Sequence, residues 1–291
     1  MRIHKLLTAR KNKSLVFSLI VLAVLSLMPR ASQAAVDWTD GFEYSSKTAQ
    51  NAVWPSSCPG DPNFMFSSTE RPRSGSRSLK MEYLGHQAIG STPPTPGYKS
   101  CYMDRYLNGK SDTLYSRWYI YMQNFTVDYI GTKLMRHTPR VDQPGFWWMS
   151  FFGNLRLDVS MEGIVNAAGT GTESANLYGG SIPQNQWVCI ETRITMSAPG
   201  VANGIIQSWV NGAQQINVTN QRMRGTKALF DGSAKYNQPT AQFELIRLYI
   251  QDGRGVIYLD DYAVSRDARI GCSGSSPAGD TTAPSIPTGV R

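Results

Sequence analysis

Three segments of the chain place mainly apolar side chains on one face and polar or tyrosine side chains on the other, at residues 115–121, 187–194 and 243–250. In the first of them Trp118 and Ile120 share one face, whereas Tyr119 and Tyr121 share the other. Alternation with a period of two is the pattern of a half-buried β-strand. We therefore predict strands that turn one face to a core and the other to solvent.

Turn-forming dipeptides separate these segments, among them Asn203-Gly204, Asn211-Gly212 and Asp252-Gly253. Such pairs favour the tight turns of β-hairpins because both residues tolerate a positive φ. No apolar periodicity predicts a helix of more than about two turns. Many strands, hairpin turns and no alternation of strand and helix predict an all-β fold, an antiparallel β-sandwich or jelly roll.

The first 34 residues have the organisation of a secretory signal peptide. A basic start with Arg2 and Lys5 precedes an apolar run over 15–28, and small residues follow up to Ala34. The run is shorter than the ~20 apolar residues that a spanning helix needs, so we expect cleavage and secretion, extracellular or periplasmic, without stable membrane insertion.

The signal peptide also accounts for most of the positive charge. The chain has 29 Lys and Arg against 21 Asp and Glu, but six of the basic residues and none of the acidic ones lie in 1–34, which leaves a net charge of +2. The composition therefore gives no support for a nucleic-acid partner. We expect a monomeric secreted protein.

Four cysteines, Cys58, Cys101, Cys189 and Cys272, remain after the signal peptide. An even number in an oxidising compartment predicts two disulfides, for which three pairings are possible. We favour Cys58–Cys101, which brackets an irregular stretch, and Cys189–Cys272, which would hold the end of the domain. The predicted domain thus spans 35–272, and 273–291 combines a flexible linker with the start of a fibronectin-III-like segment.

Several segments together resemble the concanavalin-A-like jelly-roll polysaccharide lyases. They are DGFE at 40–43, RSGSRSLKM at 73–81, the hairpin over 186–212 and YLDDYAVS at 258–265. The nearest relatives suggested are secreted bacterial, heparin-lyase-like proteins, with glucuronan and alginate lyases more distant. The order of the segments is more specific for the fold than for the reaction.

The resemblance implies a secreted lyase that cleaves an acidic (uronate) polysaccharide by β-elimination. The alternative is a non-catalytic carbohydrate-binding module of a larger extracellular protein. A glycoside hydrolase ranks last, since no paired-carboxylate cluster is evident. In many sandwiches of this kind a structural Ca²⁺ lies between the first and last strands. The matching positions are Glu43 and Asp261, with Asp40 and Asp260 nearby.

A β-elimination needs a base, an acid and a group that neutralises the uronate carboxylate. We predict His137 as the base, with Arg136 or Lys133 as the neutralising group; a surface or hydrogen-bonded histidine is the alternative, and His86 is a second base candidate. The Arg- and Tyr-rich strand faces supply the other candidates. The predicted catalytic residues are His137, Tyr119, Arg117 and Arg136, and the predicted substrate-binding residues are Lys133, Tyr121, Glu191, Arg193, Gln207, Trp209, Arg247 and Tyr249.

The run FWWMSFF at 146–152 also offers aromatic rings for stacking on sugars. Consecutive residues of a strand point to opposite faces. We therefore expect most of the run to be core and one of Trp147 and Trp148 to face a binding groove.

Overall fold

The computed structural model of the chain describes residues 36–57, 65–84, 101–127, 131–138, 146–151, 155–165, 172–226, 229–231, 234–236 and 239–272. All of them belong to one compact unit, Ala35–Arg291. The predicted signal peptide, Cys58, His86 and the 273–291 segment lie outside the described residues.

The larger sheet, sheet A, has eight strands that pair antiparallel in the order β13-β12-β11-β6-β17-β4-β3, with β1 also paired to β17. Its central strands β6 and β17 are the longest among the described residues. The strands of sheet A are β1 (Trp38–Asp40), β3 (Met65–Ser68), β4 (Ser78–Leu84), β6 (Thr113–Val127), β11 (Trp187–Thr195), β12 (Gly204–Val210), β13 (Ala213–Gln221) and β17 (Gly253–Ser265).

The second sheet, sheet B, has seven antiparallel strands in the order β10-β9-β8-β7-β16-β5-β2, and β14 and β15 form a separate pair. The strands of sheet B are β2 (Ser56–Ser57), β5 (Cys101–Ser111), β7 (Gly131–Thr138), β8 (Phe146–Phe151), β9 (Asp158–Val165), β10 (Thr172–Leu177) and β16 (Phe243–Gln251). The separate pair consists of β14 (Leu229–Asp231) and β15 (Ala234–Tyr236). The prediction of an antiparallel β-sandwich is confirmed.

The core lies between the two sheets and is built from the alternating positions that the sequence predicts. Trp118 and Ile120 of sheet A and Ile246 and Leu248 of sheet B all belong to one buried cluster. Because successive side chains of a strand alternate, the residues between them lie on the outer faces of the sandwich. Each sheet thus has a defined outer face, on which the predicted site residues can be located.

The described residues contain one helix, α1 (Lys47–Val53), whose first turn is capped by Ser46 accepting from the backbone N–H of Ala49 at 3.1 Å. Gln50 on this helix is buried, and its side chain bonds to β3 at Met65 and Ser67. A capped helix of this length is consistent with the prediction of no helix beyond about two turns. Among the described residues no helix has the length and apolar character needed to cross a membrane.

Cys189 and Cys272 form a disulfide with a Cα–Cα distance of 5.8 Å, as predicted. Cys101 is also disulfide-bonded. Its predicted partner, Cys58, is outside the described residues. The first of these disulfides holds the segment after β17 against the outer face of sheet A.

The segment RSGSRSLKM forms a turn around a carboxylate. Glu43 accepts hydrogen bonds from the backbone N–H of Ser76 at 2.9 Å and of Arg77 at 3.0 Å. Gly75 between them has φ of 59°, and a Cβ there would lie 2.2 Å from a Glu43 oxygen. The positive φ favours glycine here, and a larger residue would also have to displace the Glu43 carboxylate. The segment RSGSRSLKM, one of those that carry the resemblance, therefore has a structural role.

Candidate functional site

The predicted site residues are divided between two faces that point away from each other. The bonding register puts Arg117, Tyr119, Tyr121, Glu191, Arg193, Gln207 and Trp209 on sheet A. It puts Lys133, Arg136, Arg247 and Tyr249 on sheet B. The two sets cannot act on one sugar ring, because the whole core lies between them.

On sheet A the segment that follows β17 covers the predicted residues. Arg269 donates to the Glu191 carboxylate at 2.8 Å, and the backbone N–H of Gly271 donates to its other oxygen at 2.6 Å. The Arg269 guanidinium also lies 4.3 Å from the ring centre of Trp209. Glu191 and Trp209 are consequently only 2% and 8% exposed, so they hold this segment rather than face a ligand.

Tyr119 and Arg117, predicted as catalytic, take part in the same packing. The Tyr119 hydroxyl donates to the carbonyl of Cys272 at 3.0 Å, and the Arg73 guanidinium lies 3.3 Å from its ring centre. Arg117 is buried and directs one nitrogen to the carbonyl of Asp261 at 3.4 Å. Neither side chain is placed to reach a polysaccharide, and we do not keep either in the proposed site.

The remaining predicted residues of sheet A also contact protein groups. Arg71 covers the ring of Tyr121, 4.3 Å from its centre. Arg193 bonds to Gln207 at 3.3 Å and lies 5.3 Å from the ring centre of Tyr115. These contacts make a partly exposed polar patch and a covered tyrosine, not a set of groups that converge on a ligand.

His137 is a core residue with an exposed fraction of 1%. Its Nδ1 accepts the indole N–H of Trp148 at 2.9 Å, and its Nε2 lies 3.3 Å from Ser116 Oγ and 3.2 Å from the Tyr262 hydroxyl. Burial lowers the pKa of His137 to about 3, so the ring is neutral. The prediction of His137 as the catalytic base is not supported, because both nitrogens are occupied inside the core.

Trp148 is fully buried and belongs to the same network. It is therefore not the groove-facing member of the tryptophan pair. The side chain of Trp147 is outside what the structure describes, although its backbone pairs with Arg136 and Ser160 in the middle of sheet B.

A β-bulge in β7 brings two predicted residues to the outer face of sheet B. The pairing between β7 and β8 shifts between Lys133 and Met135, and both Leu134 and Met135 belong to the core cluster. Two consecutive residues facing inward leave Lys133 on the same outer face as Arg136, although they are three positions apart. Bulges of this kind re-aim side chains next to functional sites.

The neighbouring strands complete a cluster of cations and tyrosines. Arg247 donates to the Asp104 carboxylate through two nitrogens, at 2.6 and 2.8 Å, and its guanidinium lies 3.8 Å from the ring centre of Tyr102. Tyr102 stacks on Tyr249 with ring centres 6.1 Å apart, and Lys133 Nζ lies 5.9 Å from the Tyr249 ring centre. Tyr102, Tyr249 and Lys133 are each partly exposed.

We call this set the central cluster; its members are Tyr102, Asp104, Lys133, Arg136, Arg247 and Tyr249. It combines three cations with one carboxylate and two phenols. Such a set can neutralise a carboxylate, stack on a sugar ring and exchange a proton through a phenol.

Tyr83 fixes the spacing of two strands beneath this cluster. It belongs to β4 of sheet A, and its hydroxyl crosses the core to donate to the carbonyl of Tyr249 at 2.7 Å, with the carbonyl of Lys133 3.3 Å away. The pairing of β7 and β16 is irregular at this point. A buried carbonyl displaced from a regular ladder needs another donor, which Tyr83 supplies.

Sequence reasoning found four members of the central cluster and missed Tyr102 and Asp104. The signal was present in residues 101–106, where Cys101 and Met103 alternate with Tyr102, Asp104 and Tyr106. The partnership of Asp104 with Arg247 joins residues 143 positions apart, so no local pattern could predict it.

The carboxylates predicted to bind calcium have protein donors instead. Glu43 is bound by the turn at Ser76, and Asp261 accepts from the Ser74 hydroxyl at 2.6 Å and pairs with Arg73. In the described part of the chain no three His, Cys, Asp or Glu residues group as a metal site would require. This donor set does not fit a calcium shell, which needs six or more oxygens turned to one point. Calcium has no part in the function proposed below, and it stays a prediction for chelation to test.

Comparison with known proteins gives structural matches only. No protein-family model and no curated protein sequence matches the chain. An alginate lyase from Aplysia kurodai matches with 14% identity and a TM-score of 0.53, covering 80% of this chain and 100% of its own. The alginate lyase vAL-1 from Chlorella virus matches with 12% identity and a TM-score of 0.52 over the same shares, 80% and 100%. An endo-β-1,4-glucuronan lyase from Trichoderma reesei matches with 12% identity and a TM-score of 0.50, covering 79% and 95%.

The chain has the jelly-roll fold of polysaccharide lyases. The resemblance inferred from the sequence is thereby confirmed at the level of the fold. At such identities a lyase-like fold shows neither the reaction nor the substrate. Both must be argued from the central cluster.

Proposed function

We propose that this protein is a secreted polysaccharide lyase that cleaves an acidic, uronate-containing polysaccharide on the outer face of sheet B. The observation that carries the proposal is the central cluster, in which Lys133 and Arg247 lie beside the stacked rings of Tyr249 and Tyr102 and Arg136 pairs with Arg247 across the strands. An anionic sugar needs both kinds of group, because its carboxylate is attracted to cations and its ring to aromatic faces.

The cations of the cluster would neutralise the uronate carboxylate. Lys133 is partly exposed, whereas Arg247 is held by Asp104 over Tyr102. We assign the binding of the carboxylate to Lys133, which is partly exposed; Arg136 and Arg247 are buried and add to the positive charge of the face. A neutralised carboxylate makes the C5 proton more acidic because it stabilises the charge that develops when this proton leaves.

Tyr249 is the group that we assign to proton transfer. Its ring is fixed by the stack on Tyr102, and Lys133 lies beside it. In the elimination the C5 proton passes to the base, the C4–C5 double bond forms, and the bond from C4 to the leaving oxygen breaks. The leaving oxygen then takes a proton, and one phenol can serve both transfers if it lies on the side of the leaving group.

The test is to incubate the purified protein with alginate, glucuronan and heparin-type polysaccharides and to record absorbance of the unsaturated product. We expect product from at least one of them, and its loss in Tyr249→Phe. The matched control is Tyr115→Phe, which removes a hydroxyl from a half-buried strand tyrosine on the opposite sheet. Equal rates for the two variants would remove Tyr249 from the reaction.

A non-catalytic glycan-binding module is the second candidate, and the placement of His137 favours it. His137 is the only histidine within the described residues, and it is buried. The described face therefore offers no imidazole as a base. Retention on a uronate column without product from any polysaccharide would establish binding as the function.

Secretion belongs to the same proposal. The Cys189–Cys272 disulfide and the polysaccharide-lyase fold support an oxidising, extracellular or periplasmic location, because disulfides persist there and polymeric substrates are met outside the cell. Detection of the protein in the culture medium, with the chain beginning at Ala35, would test the location and the predicted cleavage together.

A further inference from the structure

A second cluster on the outer face of sheet B repeats the arrangement of the central one. Arg156 donates to the Asp158 carboxylate at 3.1 and 3.3 Å, and its guanidinium lies 4.9 Å from the ring centre of Tyr178. In the central cluster Arg247, Asp104 and Tyr102 stand in the same relation. Both are carboxylate-anchored arginines placed against a tyrosine ring.

The three residues of the second cluster lie on the outer face. Leu155 and Leu157 flank Arg156 and pack into the core, as does Leu177, which precedes Tyr178. Arg156 and Tyr178 point outward between these inward neighbours, as their exposure of 27% and 53% shows.

What a ligand meets there is a cation and an aromatic ring. Asp158 is fully buried and also accepts the backbone N–H of Gly179 at 2.8 Å, so it anchors the cluster from beneath. Arg156 keeps 27% of its side chain exposed, and Tyr178 is 53% exposed. A half-exposed ring held beside a cation can stack on a sugar ring.

The strand register aligns the two clusters across the sheet. Lys133 pairs with Met149, and Met149 pairs with Asp158, so Asp158 lies two strands away from Lys133 in one row. Tyr178 follows β10, the next strand, and Tyr249 lies on β16 on the other side of Lys133. At about 4.8 Å per strand, Tyr178 lies about 14 Å from Lys133 on β7 and about 19 Å from Tyr249 on β16, measured across the strands.

We propose that Arg156 and Tyr178 form a distal subsite for an acidic polysaccharide that lies across the strands of sheet B. The subsite binds a uronate residue several units away from the one held by the central cluster, with the ring on Tyr178 and the carboxylate towards Arg156. It makes the protein selective for long chains, because a short oligosaccharide cannot reach both clusters. The inference rests on the proposed function, since it assigns a second contact to the same glycan.

The experiment compares two lengths of ligand, a uronate trisaccharide and an octasaccharide prepared from the same polymer. Michaelis constants are measured if product forms, and dissociation constants if it does not. We expect Tyr178→Ala to weaken the octasaccharide interaction about tenfold and to leave that of the trisaccharide unchanged. Tyr178→Phe, which keeps the ring, should behave like the unaltered protein.

The matched control is Tyr115→Ala, because Tyr115 forms the equivalent arginine–tyrosine contact with Arg193 on the opposite sheet. It should change neither constant. Equal weakening of both ligands by Tyr178→Ala, or no weakening of the octasaccharide, would overturn the subsite and leave the proposed function intact. An unaltered protein that neither binds nor cleaves either ligand from any uronate polymer would overturn both.

Discussion

The outer faces of the two sheets use the same combination of groups with opposite consequences. On sheet A, Glu191 holds Arg269 against Trp209, and the ring is 8% exposed because the disulfide-bound segment after β17 covers it. On sheet B, Asp158 holds Arg156 against Tyr178, and the ring is 53% exposed. The difference lies in what packs above the ring and not in the residue types.

The comparison shows why an Arg- and Tyr-rich strand is ambiguous evidence for a glycan site. Cation–π contacts stabilise a covered face of a protein as well as they bind a sugar. The two roles, packing within the protein and binding a sugar, are distinguished only by whether another segment covers the ring, as the chain up to Cys272 does on sheet A. Substitutions should therefore separate the faces, with losses of stability on sheet A and losses of glycan interaction on sheet B.

Removing the disulfide with Cys189→Ser and Cys272→Ser should give the largest effect. The bond closes a loop with a sequence separation of 83, so its loss should lower the free energy of unfolding by about 4 kcal/mol. Urea denaturation measures this loss. The rate per folded molecule on a uronate polymer should not change, and a parallel loss of that rate would place the covered face in the active site.

Lys133→Ala should lower the turnover of a uronate polymer by about a hundredfold, because it removes a group that neutralises the carboxylate in the transition state. The unfolding midpoint should stay close to that of the unaltered protein, since the side chain is partly exposed. Initial rates and urea curves on the same sample compare the two quantities. A rate near normal would exclude Lys133 from the reaction.

The burial of His137 predicts a loss of stability in acid. The pKa of His137 is lowered by burial to about 3, so between pH 6.5 and pH 3 the unfolded chain binds a proton that the folded protein does not. The contribution of neutral His137 to the free energy of unfolding is complete above pH 6.5. It should fall by about 2 kcal/mol between pH 7 and pH 5. Urea denaturation at the two pH values measures it; His137→Gln should show a smaller difference, and an unchanged one would assign the acid sensitivity elsewhere.

Arg193→Gln should have the smallest effect. Its contacts with Gln207 and Tyr115 are at the surface of sheet A, where such pairs contribute about 0.5 kcal/mol or less. We expect an unfolding midpoint and a glycan interaction within error of the unaltered protein. A clear loss of glycan binding would show that sheet A also has a ligand.

The sequence predicted the class of fold because period-two alternation records directly which side of each strand is buried. It also predicted four members of the central cluster and the Cys189–Cys272 disulfide. The sequence could not show that the outer face of β11 is covered and that of β16 is open, since in both strands polar positions alternate with apolar ones. That distinction depends on which sheet a strand joins and on what covers it.

His137 shows a different limit. Residues 133–137 read KLMRH, with Leu134 and Met135 between polar residues, and a regular strand would put His137 and Lys133 on one face. The bulge and the buried network with Ser116, Trp148 and Tyr262 reverse this assignment. The local sequence indicates neither the extra residue of the bulge nor the distant hydrogen-bond partners of His137.

The bulge at Leu134 means that the site is encoded partly in a residue count. Lys133 and Arg136 share a face only because one additional residue stands between them. Regular pairing of the same residues, without the bulge, would preserve every charged and aromatic group of the central cluster and yet turn Lys133 toward the core. Comparisons of this protein with others should therefore weigh the spacing within β7 as heavily as the identities of the residues on it.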